Sequence, residues 1–367
     1  MSQRYAMLEE IKEQSALLRS LYNNRKALCA DFVSLYQKHL FKKVLFVGNG
    51  SPYYAGYTLK FAAETLLRAE AEAVYAGVFH HHTDFDVSGQ FRPEEILLVC
   101  PAESGHSKGQ VDAARRAKKK GCYVMSTTLN PQGILAQSSD IVLAKPGKHE
   151  VAMASTKGQT MAIFMIFLNF LEAAYHAGSL SQTEYDRYLH ACEQAPENIE
   201  RSIEDTISWF EKNEQRVMNA SKYFLLGYGA NYGTAQEAAL KFFECHGKPT
   251  ISLELEESLH GPFRALDRRD MVFFIAAEDG PEKERMRRLS QAVEPYCENR
   301  ILMQNIHEKT SGDILPVSTS DVEFVNAIEY LVPLQVLSFL IADKKGIDLS
   351  VPLVSSLDGV MSPAYED

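Results

Sequence analysis

Short apolar runs that end in glycine or a polar turn, each followed by a helix-forming stretch, set the rhythm of this chain. KVLFVG (43–48) has the length and uniform apolarity of a strand buried on both faces. NGSPYYAG then reads as a turn and YTLKFAAETLLRA as a helix. The beat recurs in EAVYAG (72–77), EILLVC (95–100), CYVMSTT (122–128) and DIVLAK (140–145). VDAARRAKKKG, between the third and fourth of these strands, predicts a helix with a solvated basic face and a glycine stop. A long apolar helix near 155–178 closes the set. Ahead of it all, residues 1–39 are charged and helix-forming, with Leu8, Ile11, Leu17, Leu18 and Leu21 at roughly helical spacing.

A second set opens the same way after a polar, helical stretch at 180–219. KYFLLGYGANYG (222–233) is strand then glycine-rich turn, and EAALKFFECH is its helix. PTISLEL, MVFFIAA and NRILMQ supply further strands, and VNAIEYLVPLQVLSFLIADKKG (325–346) a closing helix. Strands alternating with helices over short connections predict α/β architecture with doubly wound parallel sheets, helices on both faces. The expected organisation is an N-terminal helical segment (1–39), a first α/β subdomain (40–179), a helical linker (180–219) and a second, topologically similar subdomain (220–367).

Composition narrows the function. Thirty-eight Lys and Arg against 48 Asp and Glu give a net charge of −10, which argues against nucleic acid as a partner. A small phosphorylated ligand remains compatible, because backbone N–H groups and hydroxyls can hold a phosphate locally. The six cysteines are scattered without a CxxC pair, as expected of a reducing cytoplasm. MSQRYAMLEEIKEQ lacks a signal peptide's apolar core, and the apolar stretch 161–178 is interrupted by Asn169 and Glu172, so no membrane association is expected. His80, His81 and His82 are consecutive, a spacing that cannot aim three rings at one ion, so no metal site is expected.

Loops at the carboxyl ends of parallel strands are where such sheets bind ligands. Gly48-Asn49-Gly50-Ser51 and Glu103-Ser104-Gly105-His106-Ser107 both lead into helices and combine glycine with hydroxyls. Ordinary helix capping by Ser51 and Ser107 is the competing account of both. Ser155 or Thr156, in EVAMASTK (150–157), could likewise cap the long helix, or leave its N–H groups to an anion. On the 237–246 helix, Glu237, Lys241 and Glu244 share one face among apolar neighbours. A buried carboxylate there is costly unless paired or functional. His260 sits in the turn ESLHGPFRAL.

VGNGS (47–51), the SGxS turn (104–107), EVAMASTK (150–157), EAALKFFE (237–244) and HGP (260–262), in this order, resemble the sugar isomerase (SIS) domain proteins. Within that family the chain looks closest to the isomerase half of glutamine:fructose-6-phosphate aminotransferase and to the fructosamine-6-phosphate deglycases. The resemblance covers nearly everything beyond residue 40 and implies a sugar phosphate as the small-molecule ligand. It places the phosphate at Gly50, Ser51, Ser104, Gly105 and Ser107, with Ser155 and Lys241 also in the site. It makes Glu244 the general base, and His260, which follows it by 16 residues, the group that opens the sugar ring. It implies no metal or organic cofactor, and a homodimer or tetramer with shared active sites, His260 coming from the neighbouring subunit.

Two departures from the family pattern carry information. Its phosphate turn reads SxSGxT, whereas this one begins Ala102-Glu103, losing a hydroxyl and gaining a carboxylate. Either Glu103 points away, toward a ligand amine or hydroxyl, or the ligand is not held there by its phosphate; His106 or Lys108 could offset the charge. The tail, with Leu357-Asp358 and no lysine after 345, lacks the reactive lysine of the aminotransferase type and the Arg-Arg-Tyr end of many deglycases. The expected activity is cleavage of a phosphorylated Amadori-type sugar–amine adduct by proton transfer between C1 and C2. The alternatives are an aldose–ketose isomerase or amino-sugar-phosphate deaminase, and a non-catalytic sugar-phosphate sensor.

Overall fold

The computed structural model describes residues 5–308, 312–351 and 360–365; Leu357 and Asp358 lie outside them. Its helices are α1 (Ala6–Asn23), α2 (Arg25–His39), α3 (Ser51–Ala62), α4 (Ala76–His81), α5 (Lys108–Lys120), α6 (Ile134–Gln137), α7 (Lys157–His176), α8 (Gln182–Asn219), α9 (Ala230–His246), α10 (Pro281–Ala292) and α11 (Val325–Lys344). Its strands are β1 (Lys43–Gly48), β2 (Glu70–Tyr75), β3 (Ile96–Cys100), β4 (Tyr123–Thr128), β5 (Ile141–Ala144), β6 (Tyr223–Gly227), β7 (Thr250–Glu254), β8 (Met271–Ile275), β9 (Asn299–Asn305) and β10 (Ile314–Val317).

Two compact units result. One comprises Leu17–His149, Gly158–His190 and Pro352–Asp367; the other comprises Met1–Ala16, Glu150–Lys157 and Ala191–Val351. The first unit holds a parallel sheet in the order β2-β1-β3-β4-β5. The second holds β7-β6-β8-β9-β10, the same order counted from its own first strand. The predicted doubly wound α/β arrangement is therefore present twice.

The apolar runs are buried because helices cover both faces of each sheet. β3, β6 and β8 have no exposed residue. The first core gathers Leu45, Val47, Leu98, Val111 and Val124, the second Phe224, Leu226, Phe242, Phe273 and Leu334. α11 is long and apolar enough to cross a membrane by composition, and 94% of its most apolar window is buried among the chain's own residues. Burial in the second unit's core accounts for that composition.

Each sheet's first strand turns into its helix through the same glycine pair. A Cβ on Gly48 would lie 2.5 Å from Pro52 Cβ, and one on Gly227 2.3 Å from the Asn231 carbonyl oxygen. Gly50 (φ 59°, ψ −135°) and Gly229 (φ 51°, ψ −134°) adopt a backbone that side chains disfavour. The internal repeat is thus visible in these glycines as well as in the strand order.

Candidate functional site

In the first unit the chain reverses its strand order between β1 and β3, and the two glycine–serine turns lie at the carboxyl ends of those strands. Such a switch point opens a crevice in doubly wound sheets. Gln110, buried on α5, stitches the two strand ends together, its Nε2 donating to the Val47 and Pro101 carbonyls at 3.1 and 2.5 Å. Gly50 caps α3 and accepts from the Tyr53 and Tyr54 N–H groups at 2.9 and 3.1 Å, leaving Ser51 as the first helical residue. Ser107 stands at the N-cap of α5 without a side-chain capping bond, and it is exposed. Capping by its hydroxyl therefore does not describe Ser107, and Ser51 lies one residue past the cap of its helix. Ser104 is half-buried, its hydroxyl accepting from His106 N–H at 3.4 Å, and Gly105 is buried against Thr128.

Glu103 is turned away from the solvent edge of this turn. Its carboxylate accepts from Nζ of Lys145, the residue after β5, whose side chain is 2% exposed. The charge is thus offset by Lys145; Lys108 instead donates to the Ser362 hydroxyl at 3.0 Å. The end of the chain also reaches the turn. Lys108 N–H donates to Pro363 at 3.0 Å, Tyr365 N–H donates to His106 at 2.8 Å, and the Tyr365 hydroxyl donates to Asp112 at 2.7 Å. That last bond, to a carboxylate, raises the phenol's pKa.

The second unit carries the acid–base groups. α9 places Glu237, Lys241 and Glu244 on one face, as the spacing predicted. Lys241 Nζ lies 2.5 Å from Glu244 and 3.4 Å from Glu237; the side chains of Lys241 and Glu237 are 1% exposed and that of Glu244 is 37% exposed. Burial alone would lower the lysine's pKa, but Glu237 and Glu244 hold it above the usual range. A buried ammonium thus anchors a carboxylate that water reaches. His260 ends a one-turn helix, exposed, its N–H donating to Glu257 at 3.0 Å. Among the described residues it forms no hydrogen bond to Glu244 or Lys241.

Ser155 is held differently from either expectation. The Glu150 carboxylate accepts from the Ser155 hydroxyl (2.6 Å), Thr156 N–H (2.7 Å), Thr156 hydroxyl (2.8 Å) and Lys157 N–H (3.2 Å). The start of α7 is capped by an internal anion rather than by Ser155 or Thr156, and those N–H groups are engaged. From α1, Glu10 accepts from Val151 and Ala152 N–H groups, and Glu13 pairs with Lys157 at 2.6 Å. Burial raises the pKa of Glu10.

The second sheet's own switch point is filled by side chains. Asn231 Nδ2 donates to Glu278 at 3.1 Å and to Asn326 Oδ1 at 3.2 Å, with both asparagines fully buried. Burial raises the Glu278 carboxyl's pKa. Elsewhere, the His80 ring bonds the Gly109 carbonyl at 2.8 Å. Among the described residues no group of three His, Cys, Asp or Glu is placed to share an ion. All six cysteines are buried and unbridged, and burial pushes the Cys100 thiol up to about 12.

Residues 217–295 match the family described as SIS domain. An isomerizing glutamine–fructose-6-phosphate aminotransferase from Caldanaerobacter subterraneus is 24% identical over 365 residues, covering 94% of this chain and 57% of the relative. The C-terminal domain of glucosamine-fructose-6-phosphate aminotransferase from Francisella tularensis superposes with a TM-score of 0.82 at 21% identity, covering 95% of this chain and 98% of that one. Glucosamine-6-phosphate deaminase from Thermotoga maritima superposes with a TM-score of 0.72 at 24% identity, covering 95% and 97%. The chain spans a little over half the length of the aminotransferase relatives. The twice-repeated strand order and these likenesses agree that residues 217–295 carry a SIS domain, that the α/β fold is the one these solved structures share, and that the chain is homologous to the isomerase domain of the isomerizing aminotransferases.

Proposed function

We propose that the protein is a deglycase for a phosphorylated Amadori-type adduct, a sugar 6-phosphate whose C1 carries an amino acid's nitrogen. The observation that carries this reading is the Glu237–Lys241–Glu244 array, in which a buried ammonium fixes a solvent-reached carboxylate. A general base acts as a carboxylate, and Lys241 sets its ammonium 2.5 Å from that of Glu244.

The Gly50–Ser51 and Ser104–Ser107 turns take the phosphate, through hydroxyls and backbone N–H groups. His260 assists ring opening. Glu244 then removes a proton from C1 of the ketoamine, giving an enaminol, and C2 is reprotonated to leave a C1=N imine. Water adds across that bond and the amine leaves, so that C1 becomes the aldehyde of an aldose 6-phosphate. One relative is named a fructose-6-phosphate aminotransferase and one structural neighbour a glucosamine-6-phosphate deaminase, names compatible with C–N chemistry on a hexose 6-phosphate here.

The deciding experiment offers 6-phosphofructosyl-lysine and 6-phosphoglucosyl-lysine and measures hexose 6-phosphate and lysine release, with Glu244→Gln as control. Release by wild type and loss in the variant support the deglycase. Silence on both adducts with turnover of hexose or hexosamine 6-phosphates would assign isomerisation or deamination instead. Binding without any turnover would make the protein a sensor.

A further inference from the structure

Glu103 is a carboxylate in a turn that the proposed function assigns to a phosphate dianion. Like charges at close range in a partly desolvated turn repel strongly, so the residue needs compensation. Lys145 supplies it from the end of β5, two strands along the sheet. Its ammonium donates to the Glu103 carboxylate and, at 2.8 Å, to the Gly158 carbonyl. The Glu103 carbonyl in turn accepts from Leu129 N–H at 2.8 Å and from the Thr128 hydroxyl at 3.3 Å. Backbone and side chain of Glu103 are thus both held by the β4–β5 side of the sheet.

We propose that Lys145 is a specificity-determining residue that acts through Glu103. It cancels the carboxylate's charge and holds it aside, so that the Ser104–Ser107 turn accepts a phosphorylated ligand. This role rests on the phosphate reading of that turn. The pair leaves the turn neutral, and removing one partner sets the sign of the field a dianion meets: negative in Lys145→Met, positive in Glu103→Gln, neutral again in the double variant. A pair that only held the fold together would cost stability in each single variant without ordering affinity by charge.

The test is calorimetric titration of the full chain with glucose 6-phosphate and with inorganic phosphate, alongside thermal unfolding, for wild type, Glu103→Gln, Lys145→Met and the double variant. Lys145→Met should weaken both ligands by about tenfold or more, the double variant should return to within about threefold of wild type, and Glu103→Gln should bind as well as wild type or up to several-fold tighter. A folded Lys145→Met within about twofold of wild type, or a double variant as weak as Lys145→Met, would overturn the role. Should Lys145→Met not fold, Glu103→Gln decides: a loss of about fivefold or more overturns the role, and retained or tighter binding with a wild-type-like double variant supports it. A wild type that binds neither ligand overturns the phosphate reading and this role with it, whereas a wild type that binds while the charge order fails overturns the role alone.

Discussion

Lys241→Met and Glu244→Gln remove the two partners of one ion pair, yet they should fail in opposite ways. Lys241 and Glu237 are 1% exposed, whereas Glu244 is 37% exposed. Without Lys241 the Glu237 carboxylate stays inside an apolar helix packing without its ammonium, and breaking a buried pair in this manner costs ~3–5 kcal/mol. For a unit of roughly 180 residues each ~1 kcal/mol moves Tm by about 2–4 °C, so Tm should fall by roughly 6–20 °C. Glu244→Gln leaves Lys241 paired with Glu237 and removes one contact from a side chain in touch with water, where such pairs contribute ~0–1 kcal/mol. Its Tm should move by no more than about 4 °C, while turnover of the phosphorylated adduct falls ~10²–10⁴-fold. Glu237→Gln/Lys241→Met, which removes both buried charges, should recover most of the lost Tm. Circular-dichroism melts and the amine-release assay together read all three variants. If Glu244→Gln melts as low as Lys241→Met, Glu244 is a member of the structural network, and its freedom to transfer protons is refuted.

Three further outcomes follow from the same structure. His246, at the C-terminal end of α9, has its pKa lowered to about 3 by burial and by the charges of Lys345 and Lys248. The unfolded chain binds that proton near pH 6.5, so stability should decline from there toward acid, by ~2–3 kcal/mol over two pH units, and His246→Gln should flatten that limb in urea titrations at stepped pH. Gly227→Ala forces a Cβ to within 2.3 Å of a backbone oxygen that cannot swing aside; a loss of ~2 kcal/mol or more is expected in denaturant midpoints, and an unchanged midpoint would count against the tight turn. If His260 serves a neighbouring subunit's site, mixing Glu244→Gln with His260→Asn protein should restore activity to part of the dimers; no rescue despite proven subunit exchange would place both groups in one chain's site.

Much of this architecture was legible in the order of residues. Strands buried on both faces must be uniformly apolar, so KVLFVG coincides with β1 residue for residue, β3 and β4 differ by one residue at their starts, and β5 is shorter by one residue at each end. β2 begins two residues earlier than the pattern suggests, because its exposed acidic positions dilute the apolar signal. β10 gives no strand signal in the sequence: Ile314–Val317 is four residues long and contains Pro316, tolerable only because the strand lies at the sheet's edge. α10 is masked in the sequence too, its polar surface hiding an apolar side of little more than Met286 and Leu289. α3 begins at Ser51 rather than near Tyr57, since Pro52 suits a first helical turn. At the site, the helical face joining Glu237, Lys241 and Glu244 follows from spacing alone. Lys145 with Glu103 and Glu10 with the Val151 backbone are 42 and 141 residues apart, and only the fold brings them together. A charged residue directly after the apolar run IVLA, at the ligand-facing ends of the strands, was the one available hint of Lys145.

The matched turns of the two sheets have also been put to different uses. In the first, exposed Ser107 and half-buried Ser104 leave hydroxyls within reach of solvent; in the second, Asn231, Glu278 and Asn326 bond to one another in the corresponding crevice. A chain with two copies of a binding architecture has therefore left hydroxyls at the surface of one and tied its twin together with its own side chains. The stoichiometry of ligand binding should reflect this asymmetry, with titration by glucose 6-phosphate saturating at one equivalent per chain rather than two.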